Sequence, residues 1–218
     1  LDWGDGGISL CGRCTDMIVL KDVSFQYEGC EEGVHGIDLT VCDGECVVLT
    51  GPSGGGKTTL TRLLNGLAPS YYQGTKKGDL WINYTEIASL PAWKIGQEIG
   101  SVFQDPKSQF FSSELAGEVA FACENYGMAK QEIRKRTDEA IASMGLETLR
   151  ARPLDVLSSG EKQRVAVASV YALRPHTYVC DEPTANLDSE GATRLAGILR
   201  KLKDEGNTLI IAEHRLAW

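Results

Sequence analysis

The stretch that most limits what this chain can become is Gly51, Pro52, Ser53, Gly54, Gly55, Gly56, Lys57, Thr58 and Thr59. It fits the pattern GxxxxGK[ST], directly after the apolar run Cys46-Val-Val-Leu-Thr50 and directly before a helix-forming one. An apolar strand that turns through glycines into a helix presents successive backbone N–H groups to an anion, at the positive end of the helix dipole. Lys57 adds a cation for β- and γ-phosphate groups, and the Thr58 hydroxyl can ligate Mg²⁺. A flanking strand and helix are the context that makes such a turn a phosphate cradle rather than a glycine-rich loop with a chance Lys-Thr.

The other segments extend the same pattern. Residues 17–27 and 36–41 read as strands around a turn, and with 46–50 they suggest a small antiparallel β layer against a larger α/β core. The pattern predicts a helix over 58–67, strands over 79–84 and 99–103, and helix throughout 113–172. Within the last, Ile133, Thr137, Ala140, Ile141 and Met144 share one face, as in an amphipathic surface helix. A strand at 178–181, a helix at 189–204 and a strand at 208–212 follow, and this alternation implies a parallel sheet.

At 218 residues the chain fits one domain with a sizeable core. A net charge of −8 argues against a nucleic-acid surface, and none is expected as partner. No run of about 20 apolar residues is present, so a membrane role must come through another protein. The seven cysteines are scattered, as in a reduced protein. Cys11 and Cys14 make one CxxC, but no second pair follows to complete a zinc site. Residues 1–16, rich in glycine and without periodicity, are expected to be a poorly ordered leader.

Two carboxylates end the strand Tyr178-Val-Cys-Asp181, where ligands of open α/β sheets bind. Asp181 is placed to serve Mg²⁺, and Glu182, facing the other way, to orient or deprotonate an attacking water. The last strand ends similarly, in His214, beside the expected γ-phosphate. Gln104 ends the strand at 99–103 with an amide able to reach metal or water. A second junction, Leu157-Ser158-Ser159-Gly160-Glu161, is a polar turn running into an alanine- and valine-rich helix, and it too is built to receive an anion.

In order and spacing, residues 17–218 resemble an ATP-binding cassette (ABC) ATPase. The matching stretches are the Walker A loop Gly51–Thr59, the Q-loop at Gln104, the signature Ser158, Ser159, Gly160 and Glu161, the Walker B strand ending in Asp181 and Glu182, the D-loop Ala185–Asp188, and the switch His214. The resemblance implies a RecA-like P-loop NTPase core with an antiparallel β subdomain and an α-helical signature subdomain at about 105–172. It implies ATP and Mg²⁺ as ligands, with Thr58, Gln104 and Asp181 at the metal, Glu182, His214 and Gln104 catalytic, and Tyr27 stacked on adenine. It also implies a head-to-tail dimer, in which each signature caps the nucleotide held by the other cassette. Ser159 and Glu161 stand where the family most often has glycine and glutamine. Ser159 is strained only if its φ is positive, and the Glu161 carboxylate must point away from phosphate.

The stretch after Gln104, Asp105 to Ser113, is similar to that of energy-coupling factor importers of vitamins or transition-metal ions. There the segment matching Ser108–Phe111 forms a short extra helix against a transmembrane subunit, with Phe110 and Phe111 as apolar anchors. The resemblance implies a peripheral subunit on the cytoplasmic side of a membrane. It also implies truncation at the C-terminal end, as for one cassette of a longer polypeptide; the partner is then a second copy or a different cassette. The alternatives are a non-transport cassette acting on ribosomes or nucleic acid, and a module that holds ATP without hydrolysing it.

Overall fold

The computed structural model describes residues 17–214; the expected leader, with Cys11 and Cys14, lies outside them. The chain runs β1 (Met17–Tyr27), β2 (Gly33–Cys42), β3 (Cys46–Leu49), α1 (Lys57–Leu64), α2 (Leu67–Ser70), β4 (Gly74–Ile82), β5 (Thr85–Glu86), α3 (Ala92–Glu98) and β6 (Ile99–Val102). It continues through α4 (Leu115–Asn125), α5 (Lys130–Ser143), α6 (Ser159–Leu173), β7 (Thr177–Asp181), α7 (Ser189–Asp204) and β8 (Thr208–Ala212).

The strands form two sheets. An antiparallel one is ordered β2-β1-β4-β5, and a parallel one β3-β8-β7-β6. Side chains alternate across a strand, so β7 and β8 serve two cores at once. Val179 and Ile210 join α1 and the antiparallel sheet in one core, while Tyr178, Cys180, Leu209 and Ile211 face the core built by α4, α5, α6 and α7. Every residue of both strands is buried, the expected consequence of covering both faces of a parallel sheet. All three strand ends that carry Gln104, Glu182 and His214 therefore open on one edge.

Several element boundaries depart from the expectations. β4 begins at Gly74, five positions before the expected start, because it pairs with β1 as far as Tyr27↔Gly74, and a hydrogen-bonded neighbour overrides the weak strand preference of Lys76 and Lys77. The helix expected over 113–172 is three helices. α4 and α5 both end in Schellman-type turns with glycine just beyond the cap: Gly127 N–H donates to Glu124 O and Met128 N–H to Cys123 O, then Gly145 N–H to Ala142 O and Leu146 N–H to Ile141 O. The apolar face expected on α5 is present, with Thr137, Ala140, Ile141 and Met144 all buried. Cys30, Cys46, Cys123 and Cys180 are free, but Cys42 is disulfide-bonded, which corrects the all-reduced expectation.

Candidate nucleotide site

The first cradle is set by one close approach. Gly56 precedes α1 at φ 83°, and a Cβ there would lie 2.5 Å from Val34 Cγ1, so β2 and the loop can meet only through a glycine. No side chain caps α1, which leaves the N–H groups of its first turn for a ligand. Such a glycine-bent, uncapped helix start fits a polyphosphate. Lys57 is buried, and its Nζ donates to Gly51 O and Pro52 O, both at 3.0 Å.

Opposite the loop stand the strand ends. Glu182, the first residue after β7, has φ 44°, a left-handed conformation that costs a side-chain-bearing residue on the order of 1 kcal/mol. Its N–H donates to Ala212 O at 2.8 Å, so β8 holds the strained turn in place. From there the carboxylate reaches His214 Nε2 at 2.5 Å, Lys57 Nζ at 4.0 Å and, as acceptor, Gln104 Nε2 at 3.1 Å. His214 Nδ1 lies 2.9 Å from Gly51 O. The Lys57 ammonium is 3.3 Å from Nδ1 and 3.2 Å from Nε2.

Asp181 is separate from that cluster. Thr58 Oγ1 donates to Asp181 Oδ1 at 3.1 Å. Burial pushes the Asp181 carboxyl above its ordinary range, against the downward pull of the Thr58 hydrogen bond, and the nearby Glu182 charge adds to the rise. A hydroxyl, a carboxylate and the Gln104 amide are hard oxygen ligands suited to Mg²⁺. Among the described residues no group of three or more His, Cys, Asp or Glu could hold a metal ion.

Ser158 to Glu161 lie elsewhere. They start α6 with a capping box: Glu161 N–H donates to Ser158 Oγ at 3.3 Å, and Glu161 Oε2 accepts from Ser158 N at 2.7 Å and from Ser158 Oγ at 2.8 Å. The carboxylate thus turns back on its own turn, as the substitution for glutamine requires. Ser159 has no positive φ, so the serine is unstrained. The turn shares a cavity of about 400 Å³ with Gln163, Arg164, Asn186 and Arg194, not with the first cradle.

The capping box sets a pH dependence. The hydrogen bonds from Ser158 N–H and then Ser158 Oγ hold the Glu161 carboxyl below its ordinary value, so its contribution is present above the unfolded carboxylate range and lost as pH falls through the folded one. Glu161→Ala is expected to lower unfolding free energy by about 1 kcal/mol at pH 7, and the deficit shrinks as the pH falls through that range; urea titrations across the pH series measure it.

Tyr27 adjoins the cradle. Its hydroxyl donates to Thr59 Oγ1 at 3.2 Å and accepts from Arg62 Nη1 at 2.9 Å. Phe110 and Phe111 differ in exposure, Phe110 being half-buried. The short extra helix is a 3₁₀ turn, Pro106–Gln109, that ends before them. Phe110 packs on the helical core, while Phe111 is 74% exposed and stacks on Phe121 at 4.8 Å. Buried Glu118 decides this, since its Oε2 accepts from both Phe111 N and Ser112 N at 2.8 Å.

Two further features have little sequence signal. Arg62 sits one helical turn after Thr58, a spacing that could have flagged it. Buried Glu213 accepts from Thr184 Oγ1 at 2.5 Å and from His214 N at 2.8 Å, tying the turn after Glu182 to the switch histidine.

Known proteins fit this geometry. The ABC transporter family model matches residues 34–185. A putative ABC transporter ATP-binding protein of Treponema denticola is 43% identical over 203 residues, 93% of this chain and 41% of that protein. A putative ABC transporter ATP-binding protein of Saccharolobus solfataricus is 34% identical over 200 residues, 91% of this chain and 38% of the relative. The chain thus spans about two fifths of the length of the curated relatives it matches. Among solved structures, cbiO1 of Clostridium perfringens, described as part of the ABC transporter complex cbiONQ, aligns with TM-score 0.80 at 33% identity, covering 91% of this chain and 78% of its own. The ATP-binding cassette MJ0796, a dimer in a post-hydrolysis state with ADP and Pi, aligns with TM-score 0.78 at 27% identity, covering 91% and 88%. With the cradle, the strand-end cluster and the capped second turn all in place, the chain belongs to the ABC transporter family, as an ATP-binding cassette ATPase domain.

Proposed function

We propose that this cassette hydrolyses ATP within a closed pair of cassettes and thereby powers a membrane importer of energy-coupling factor type, for a vitamin or a transition-metal ion. The observation that carries the catalytic part is the convergence of Lys57, Glu182, His214 and Gln104 at one sheet edge. The loop Gly51–Thr59 holds the triphosphate, Lys57 meets its β- and γ-groups, and Tyr27 stacks on the base. Thr58, Asp181 and Gln104 would hold Mg²⁺, which when bound would neutralise charge building on the phosphates. Glu182 orients a water and takes its proton as the new O–P bond to the γ-phosphorus forms and the bond to the β-γ bridging oxygen breaks. His214 steadies the γ-group through a hydrogen bond.

Ser158–Glu161 complete the site of the partner cassette. Their hydrogen bonds stay within their own turn, and the cavity they line is not lined by the first cradle, which supports action across a dimer; the dimeric MJ0796 supports it also. The partner is a second copy or a different cassette, and relatives more than twice as long as the shared stretch have room for both in one polypeptide. The likeness of residues 105–113 to energy-coupling factor proteins, and the likeness to cbiO1, support the importer reading over a ribosomal or nucleic-acid one. No helix among the described residues is long and apolar enough to cross a membrane. The transmembrane subunit docks at the Phe110 and Phe111 region, where Phe111 is exposed.

Affinity capture from detergent-solubilised membranes of the source cell tests this. The chain is expected to retain a multi-spanning protein, and Phe111→Ala to lose it while binding ATP normally. Retention of ribosomes or nucleic acid in its place overturns the importer.

A further inference from the structure

Beside the cradle lies a cluster that neither the phosphate chemistry nor the dimer uses. Arg62, on the last turn of α1, is partly buried, and among the described residues it makes no ion pair. Its neighbours are rings. The guanidinium carbon stands 3.9 Å from the Tyr72 ring centroid and 5.9 Å from that of Tyr27, while Nη1 donates to the Tyr27 hydroxyl. The two tyrosine rings are nearly perpendicular, 6.4 Å apart. Tyr27 is further fixed by Phe25, 4.9 Å away edge to face, and by Thr59.

A guanidinium held at π distance over a tyrosine gains from the ring quadrupole and keeps its planar fork aligned, while its charge also lowers the Asp181 carboxyl from a distance. Here the fork ties two segments that already adjoin, through the Tyr27↔Gly74 pairing and the Glu28 N–H to Gln73 O bond, to a third. Tyr27 ends β1, and Tyr72 follows α2; Arg62 joins both to the helix that begins at the phosphate loop. The orientation of the Tyr27 ring relative to the triphosphate is therefore referred to α1 through one side chain, together with the weaker contact to Thr59.

We propose that Arg62, clamped by Tyr72, is a positioning residue for base recognition: it presets the Tyr27 ring, so that affinity for the nucleotide's base, but not for its triphosphate, depends on the clamp. This rests on the reading of Tyr27 as the base-stacking residue. Preorganising one aromatic side chain removes a rotamer cost at the moment of stacking, so the effect belongs to the base alone.

Calorimetric titration of MgATP and of magnesium tripolyphosphate into the purified chain separates the two halves of the ligand. Arg62→Ala and Tyr72→Leu are each expected to weaken MgATP about five- to tenfold and to leave tripolyphosphate within about twofold. Tyr72→Phe keeps the π face and is expected to be silent. Arg62→Lys keeps the charge but not the fork, and is expected to give a smaller loss, again for MgATP only. The ratio of the two affinities is insensitive to the folded fraction, because unfolded protein loses both ligands alike. Tyr27→Ala sets the reference. If it leaves the ratio unchanged, the stacking reading fails; if it shifts the ratio while Arg62→Ala and Tyr72→Leu do not, the clamp fails and the stacking reading stands. Equal weakening of both ligands by the clamp variants also overturns it.

Discussion

Glu182→Gln is expected to lower steady-state phosphate release about a thousandfold while leaving MgATP affinity within about twofold. The amide keeps the size of the side chain and can still accept from Gln104, so the turn after β7 should hold its shape. What it cannot do is take the proton of an attacking water. The substitution also removes one negative charge beside the γ-phosphate, which favours the bound, closed pair over its separated products. In MgATP the variant should therefore accumulate as a dimer by light scattering, and adding Ser158→Arg should return it to monomer with ATP still bound, because a bulky side chain at the start of α6 blocks the partner's nucleotide. Phosphate release within tenfold of the parent in Glu182→Gln would move the general base to another residue.

Lys57→Ala is expected to weaken MgATP at least about a hundredfold, because a buried charge is lost from a site whose remaining groups are arranged around it. The Lys57 ammonium satisfies the carbonyls of Gly51 and Pro52 and stands beside the Glu182–His214 pair. Without it, Glu182 faces an incoming triphosphate without the ammonium beside it, and the two loop carbonyls lose their donor. Lys57→Arg restores the charge but not the fit, since a planar fork cannot occupy the space of a compact ammonium against the loop. Calorimetry on all three proteins reads the difference, and far-ultraviolet circular dichroism checks that each is folded. An affinity for Lys57→Ala within tenfold of the parent would remove the lysine from phosphate binding.

The two substitutions test different kinds of information. That Lys57 follows a glycine-bent turn between strand and helix is written within nine adjacent residues, and the same is true of the capping box at Ser158 and Glu161 and of the glycines that end α4 and α5. Each depends on sterics and hydrogen bonds between residues a few positions apart, which the chain carries wherever it goes. The helix expected from 113 to 172 is broken at Gly127 and over 144–158, where Gly145, Pro153 and the Ser158 cap interrupt the apolar periodicity on either side.

Contacts across the chain obey a different rule. His214 is 157 positions from Lys57, and they meet because β8 lies between β3 and β7 in the parallel sheet, an order that no local pattern contains. The inward turn of Phe110, the outward turn of Phe111, and the seat of Arg62 between Tyr27 and Tyr72 likewise follow from which surfaces must be buried against which. The sequence alone carries the GxxxxGK[ST] turn, the alternation of strands with helices and the acids after the strand at 178–181, since those rest on short-range geometry. Only the tertiary structure decided who touches whom at the sheet edge, since that rests on burying two faces of one sheet at the same time.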